Sequence, residues 1–199
     1  MDDPTQDTNS SVQKSFGKSR GWFKELLHFC FIAAIIVLPI RLFIAQPFIV
    51  SGASMEPTFE DGEYLIVDQI SYRFKEPSRG DVIVFKYPID ERKFFIKRII
   101  GLPGETVEVL DGKVFVNQQE KLSKEALVEP YTNMPTIGPI STSLEEGEYF
   151  VLGDNRAASS DSRLWGVLPR KDIVGRPIVR LFPLTRVSTL PGKASFGER

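Results

Sequence analysis

The residue whose surroundings first suggest chemistry is Ser54. It lies in a Gly/Ala/Ser-rich bend within "FIVSGASMEPTFEDGEYLIV", residues 48–67, between two apolar stretches. A serine hydroxyl is a weak nucleophile and attacks only as a neighbouring base takes its proton. The usual base is missing here. The chain has one histidine, His28, and one cysteine, Cys30, both inside a long apolar run. A Ser/His/Asp or Cys/His machine elsewhere in the chain is therefore excluded, as is a zinc site of His and Cys ligands. No metal and no cofactor is expected, and the base must be lysine, carboxylate or tyrosine.

A lysine serves only when neutral. With an ordinary pKa near 10.4, fewer than about one in a thousand is neutral at pH 7, so the site must lower that value by roughly two units or more. Burial among apolar groups does this without a metal. Two lysines lie in apolar strand-like runs: Lys97 in "FFIKRII" and Lys86 in "VIVFKYP". Strand alternation gives Lys97 the face of Phe95 and Ile99 and turns Arg98 the other way, among Phe94, Ile96 and Ile100. Lys86 shares a face with Val84 and Pro88, where the strand ends and water is nearer. Composition favours Lys97. The bland alternative, in which either lysine lays its stem along a strand and keeps its ammonium in water, stays open at this level. A polar cluster, "GDNRAASSDSR" (153–163), follows the apolar "EYFVL". Gly-Asp-Asn marks a tight turn, Asp161 and Arg163 can pair, and a serine of this cluster could orient a buried amine.

The elements that must position these residues fall into two parts. "LLHFCFIAAIIVLPIRLFIA", residues 26–45, is about 30 Å long as a helix and matches a hydrocarbon core. Arg41 can snorkel and Pro39 can bend the helix without ending it. Lys14, Lys18, Arg20 and Lys24 precede the span and place residues 1–25 in the cytoplasm by the positive-inside rule. A cleaved signal peptide is the rival reading, with "SGA" at 51–53 as a small-x-small match, but Arg41 fits an apolar core region poorly. Residues 46–182 then read as one mainly β domain. Short alternating runs at 63–70, 81–88, 93–100, 106–110, 113–118, 148–155 and 172–182 predict antiparallel strands. Asp111-Gly112 signals a type I′ hairpin. Residues 119–147 read as an irregular insertion or small cap, and 183–199 as a loose tail. A net charge of −1 with interspersed signs leaves no basic footprint for nucleic acid.

"SGASMEPTF" around Ser54, "KRIIGLPGE" from Lys97 and "GDNRAASSDSRLWG" from Gly153 resemble, in order and after a single anchor, the three signature boxes of bacterial type I signal peptidases. The resemblance covers about residues 22–182. It implies a membrane-anchored Ser/Lys endopeptidase on antiparallel sheets forming a barrel-like catalytic domain, with an apolar surface against the outer leaflet. By position Ser54 corresponds to the nucleophile and Lys97 to the general base. Ser159 matches the serine that orients the lysine, Asp161 and Arg163 the pair that braces the site, and Asp154 a further position of the same box. Phe48, Val50 and Ile96 match lining residues of pockets that select Ala-x-Ala. The Ser54 N–H is expected in the oxyanion hole. One departure is Gly52, where some members carry a serine whose hydroxyl joins that hole. The implied partners are signal-peptide-bearing preproteins and membrane lipid, near the export translocon. The implied location is the inner or plasma membrane, or a thylakoid membrane, with the catalytic domain on the outer face. Self-cleaving Ser/Lys repressors fit less well, since they lack the anchor. The alternative from another class is a non-catalytic, membrane-tethered β-domain that binds a protein partner.

Overall fold

The computed structural model describes residues 19–39, 45–118 and 126–194. Helix α1 spans Ser19–Pro39. Its stretch Gly21–Leu38 has a mean hydropathy of 1.8 and no buried share, long and apolar enough to cross a membrane. The helix starts seven residues before the span expected at 26–45, since Ser19 already lies in it. At the other end, backbone pairing with residues 64–68 claims Ala45 for a strand. Arg41, Lys14 and Lys18 lie outside the described residues.

The remaining unit, Leu42–Arg199, is built from antiparallel ladders. Its strands are β1 (Ala45–Ile49), β2 (Tyr64–Asp68), β3 (Val82–Tyr87), β4 (Asp90–Gly101), β5 (Glu105–Leu110), β6 (Lys113–Gln118), β7 (Ile140–Ser143), β8 (Glu148–Leu152), β9 (Leu168–Pro169), β10 (Ile173–Phe182) and β11 (Ser188–Thr189), with a short helix α2 (Ser162–Trp165). The main sheet runs β1-β2-β10-β3-β4-β8-β9, with β11 beside β10, and a smaller sheet runs β6-β5-β7. The mainly β, antiparallel class is the expected one. The path is not closed into a full barrel, because β1 and β9 are its two ends.

Every strand predicted from alternation is present, whereas β1, β7, β9 and β11 were not anticipated. Two of those four are only two residues long, too short to carry a period, and Pro47 obscures β1, where an edge position tolerates proline. At the β5–β6 turn both Asp111 (φ 49°) and Gly112 (φ 77°) have positive φ, as a type I′ hairpin requires. Residues 126–139 carry no helix or strand, and β7 then adds to the edge of β5. Residues 119–125 lie outside the described residues. Beyond Phe182 the chain differs from a loose tail: β11 pairs with β10, and Leu190 N donates to Ile178 O at 2.8 Å.

Central strands bury both faces. Tyr149 and Val151 of β8 enter one core with Ile83, Phe85 and Ile99. Phe150 and Leu152 enter a second with Ile100, Val107 and Val109. That two-sided burial is why "YFVL" and "RII" read as continuous apolar runs rather than alternations. A third cluster, Val50, Met55, Phe59, Leu65 and Val82, with Ile96 against it, forms the floor beneath the bend that carries Ser54.

Ile99 is fully buried where β4 pairs with β8. Ile99→Ala should lower the unfolding free energy by about 2–5 kcal/mol, read as a drop in the chemical-denaturation midpoint with an unchanged slope.

Candidate active site

Ser54 sits in the turn between β1 and β2, half-buried, and Lys97 comes from the middle of β4 with only 4 % exposure. Lys97 Nζ lies 2.7 Å from Ser54 Oγ and 2.8 Å from the Ile96 carbonyl oxygen. The Phe95 ring is on its apolar side, 5.4 Å from Nζ to the ring centre. Burial pushes the Lys97 pKa down to about 8, while the charges of Asp161 and Asp154 pull the other way. Lys86, the other lysine in an apolar strand, is exposed. A neutral amine at Lys97 has one lone pair, and the hydroxyl proton of Ser54 is within its reach.

Both neighbouring carboxylates are themselves neutralised. Asp161 is fully buried and takes a two-pronged contact from Arg163, Nε to Oδ1 at 2.7 Å and Nη2 to Oδ2 at 2.8 Å. It also accepts the Gly153 N–H at 3.0 Å, which fixes the turn after β8. Asp154 takes Arg98 in the same way, Nε to Oδ1 at 2.8 Å and Nη2 to Oδ2 at 2.6 Å, both side chains being almost wholly buried. Arg98 also donates to the carbonyls of Gly80 and Gly192, and its guanidinium lies over the Tyr131 ring at 4.0 Å. Strand alternation correctly sends Arg98 away from Lys97. What it does not reveal is that the arginine ends in a buried ion pair rather than among apolar side chains.

The peptide of Ser54 is held by a residue that sequence reasoning did not single out. Asn155 N donates to the Ser54 carbonyl at 3.1 Å, and Asn155 Nδ2 to the Ala53 carbonyl at 3.0 Å. Among the described residues the Ser54 N–H makes no hydrogen bond, so it remains able to donate toward a reacting carbonyl. Gly52 has φ +87°, and its N–H is taken by Asp61 Oδ1 at 2.7 Å. Its role is to make the bend rather than to supply a donor. Ser159 Oγ is buried and unpaired. It packs against Gly153, where any Cβ would collide with it and with the Ser54 carbonyl. The lysine's hydrogen bonds run to Ser54 and Ile96, not to Ser159. Nothing in the spacing of "GDN" distinguishes an asparagine that closes its own turn from one that clamps a loop a hundred residues earlier.

Beside the dyad lies a groove of about 450 Å³ whose lining includes Phe48, Val50, Ser54, Ile96 and Lys97. Phe48 and Phe94 meet across it edge to face, centres 5.4 Å apart. Among the described residues its two walls are unpaired strand edges. There β1 pairs only with β2, and β4 pairs with β3 along Phe94–Arg98 but with β8 only from Arg98 onward. An extended peptide laid between them could bond to both.

Comparison with known proteins agrees with this geometry. The family model described as signal peptidase, peptidase S26, matches residues 23–182. A probable signal peptidase I-1 of Synechocystis sp. is 38 % identical over 172 residues, covering 83 % of this chain and 85 % of that one. A signal peptidase I of Leptolyngbya laminosa is 40 % identical over 176 residues, covering 83 % and 82 %. A probable thylakoidal processing peptidase 2 of Arabidopsis thaliana is 37 % identical over 186 residues, covering 85 % of this chain and 49 % of that one. With a buried amine against a loop serine and a family match over most of its length, the chain belongs to the signal peptidase family, peptidase S26.

Proposed function

We propose that this serine peptidase cleaves signal peptides from preproteins with Ser54 as nucleophile and Lys97 as general base. The observation that carries the reading is the 2.7 Å contact between Ser54 Oγ and an amine that is 4 % exposed. Neutral Lys97 Nζ takes the Ser54 proton as Oγ forms a bond to the scissile carbonyl carbon. The resulting ammonium hands that proton to the departing amine as the C–N bond breaks. A water then attacks the acyl-Ser54 ester, losing its proton to Lys97, and Oγ leaves with the proton restored. Charge on the carbonyl oxygen is met by the Ser54 N–H, whose peptide plane Asn155 Nδ2 fixes through the Ala53 carbonyl. With one N–H on the Ile96 carbonyl and the lone pair on Ser54, the amine has one N–H left. The Ser159 oxygen, buried and without a partner among the described residues, is the acceptor proposed for it. Asp161 with Arg163, and Asp154 with Arg98, brace the loop without leaving bare charge beside the base.

The substrate is an extended segment added between the edges of β1 and β4, its small side chains entering the pockets lined by Phe48, Val50 and Ile96. This reading accounts for selection of small-x-small sites. Ile49, Tyr64 and Phe182 are exposed and stand side by side across β1, β2 and β10. Such an apolar row suits the lipid surface of an enzyme anchored by α1. The basic residues before the span favour a cytoplasmic N-terminus with the peptidase on the outer face of a cell or thylakoid membrane. A non-catalytic tether is not favoured, since a binding module has no use for a dry amine against a hydroxyl.

Three measurements test the dyad. In detergent, with a preprotein carrying an Ala-x-Ala site, Ser54→Ala and Lys97→Ala should each lose more than about a thousandfold in kcat/KM. The parent enzyme's rate should rise with pH through a midpoint near 8, because only the neutral amine accepts a proton. A profile flat from about pH 5 to 9 would remove lysine as the base. Second, Arg163→Met leaves the buried Asp161 uncompensated beside the amine, so that midpoint should move up by on the order of one unit. Third, the folded pKa of about 8 lies below the ordinary 10.5. The cost of a buried ammonium is thus fully present below pH 8 and disappears as pH rises toward 10.5. Lys97→Met should therefore stabilise the inactive protein by on the order of 1–3 kcal/mol at pH 7, with the gain shrinking at pH 10, as read from thermal melts at the two pH values.

A further inference from the structure

The family match ends at Phe182, yet the next eleven residues, 183–193, turn back onto the loop that carries Ser54 and the strand that carries Lys97. After a 3-10 turn at Leu184–Arg186, β11 pairs with β10 and the chain reaches Gly192. Two contacts stand out. Arg186 Nη1 lies 2.6 Å from Glu60 Oε1 and 3.0 Å from Glu63 Oε1. Glu63 is 1 % exposed, and its other oxygen meets Arg180 Nε at 2.9 Å. Burial raises the Glu63 pKa on balance and the two guanidinium groups draw it partway back, so Arg186 is one of the two cations that favour the charged carboxylate at this buried position.

The second contact is at Gly192. Its carbonyl accepts from Arg98 Nη1 at 2.6 Å. Its φ is +79°, and a Cβ there would lie 2.7 Å from Phe59 Cε2 and 3.0 Å from Val82 Cγ2. Glu60, Glu63 and Phe59 belong to the stretch that follows Ser54, and Arg98 follows Lys97 directly. Val50 N donates to the Glu63 carbonyl at 2.9 Å, which closes the Ser54 loop at its base. Each end of the returning segment therefore touches the residues behind one or both members of the dyad. None of Arg186, Gly192, Phe59, Glu60, Glu63 and Arg98 lines the groove.

We propose that residues 183–193 are a strap that holds the Ser54 loop and β4 in register from behind, with Arg186 and Gly192 as its positioning residues. The proposal rests on the Ser54/Lys97 reading. A strap of this kind acts on the distance between two reacting groups and not on the substrate-binding walls, so its loss falls on turnover rather than on binding. A displacement of about 1 Å between such groups costs on the order of a hundredfold in rate.

The test uses the full chain in detergent, with Arg186→Ala, Arg186→Lys and Gly192→Ala measured beside the parent and Lys97→Ala. Arg186→Ala and Gly192→Ala should each lower kcat by about ten- to a hundredfold with KM within about threefold, and Arg186→Lys should recover part of the loss. Amide hydrogen exchange should quicken over residues 52–63 and stay unchanged over 105–118, in the smaller sheet. Unchanged kcat together with unchanged exchange at 52–63 in both variants overturns the strap. So does exchange that quickens equally in the smaller sheet, since that is loosening of the whole domain. The exchange readout is independent of chemistry, and activity retained by Lys97→Ala would sink the dyad while leaving the strap to be judged on exchange alone.

Discussion

A lysine amine kept out of water beside a hydroxyl is the constraint to which the rest of the domain answers. Apolar burial alone drives the Lys97 pKa down, but two carboxylates stand near enough to drive it back up. At an effective dielectric constant of about 20, one bare carboxylate nearby stabilises an ammonium by on the order of 1–2 kcal/mol, roughly one pK unit. Two such charges would return the lysine nearly to its ordinary value. The structure avoids this by giving each carboxylate its own planar cation in two-pronged contact, Arg163 on Asp161 and Arg98 on Asp154. A lysine ammonium in those places would be a poorer match, since it lacks the fork that meets both oxygens at once. The carboxylates stay because they also organise backbone: Asp161 receives the Gly153 N–H, and Asp154 receives the Thr58 hydroxyl.

Adjacent residues on one strand divide the work. Lys97 faces Ser54, and Arg98, turned to the opposite face, is tied to Asp154, the Gly80 and Gly192 carbonyls and the Tyr131 ring. A slip of β4 by one residue would exchange the two cations and leave a permanently charged guanidinium against the serine. The ties on Arg98 therefore keep Lys97, the proposed base, against Ser54 as well as fixing the position of the strand. The neighbouring Arg156 repeats the device, reaching Glu129 and Thr136 and so joining the irregular stretch 126–139 to the same loop.

Much of this was legible in the sequence, and the reasons are local. Lys97 could be separated from Lys86 because period-two alternation reports which strand positions share an apolar face, and Asp111-Gly112 announced its hairpin because few residues adopt positive φ twice running. The Asp161–Arg163 pair is two residues apart and needs only the turn between them. By contrast Asn155 meets Ala53 across 102 residues and Arg98 meets Gly192 across 94. Such contacts depend on which strands become neighbours, and β10 reaching both β2 and β3 is set by the whole topology. The segment after Phe182 looked like a tail for the same reason. Its run of Ser188, Thr189, Pro191 and Gly192 around Leu190 carries no period, and its anchoring lies in one arginine and one carbonyl that only the folded core can meet. The start of α1 moved outward because apolar content marks where a helix can cross a membrane, whereas the helix itself continues as long as its backbone bonds do.

The groove shows why a serine–lysine pair suits this position. Its walls are two strand edges, so on the proposed reading a substrate added between them would be recognised chiefly through its main chain, with side chains mattering only where they enter the pockets. Breadth of substrate and strictness at small positions would then come from one feature rather than from two. The same insertion bears on the base. A peptide strand laid between β1 and β4 covers the open side of Ser54 and removes what water still reaches the amine, and each loss of solvent favours its neutral form. Because binding and desolvation are linked, whatever free energy the substrate gains by preferring the neutral amine is returned as a larger fraction of enzyme ready to attack. A histidine, already half neutral near pH 7, would gain little from such a coupling. A lysine held near pH 8 by partial burial gains most of what it lacks.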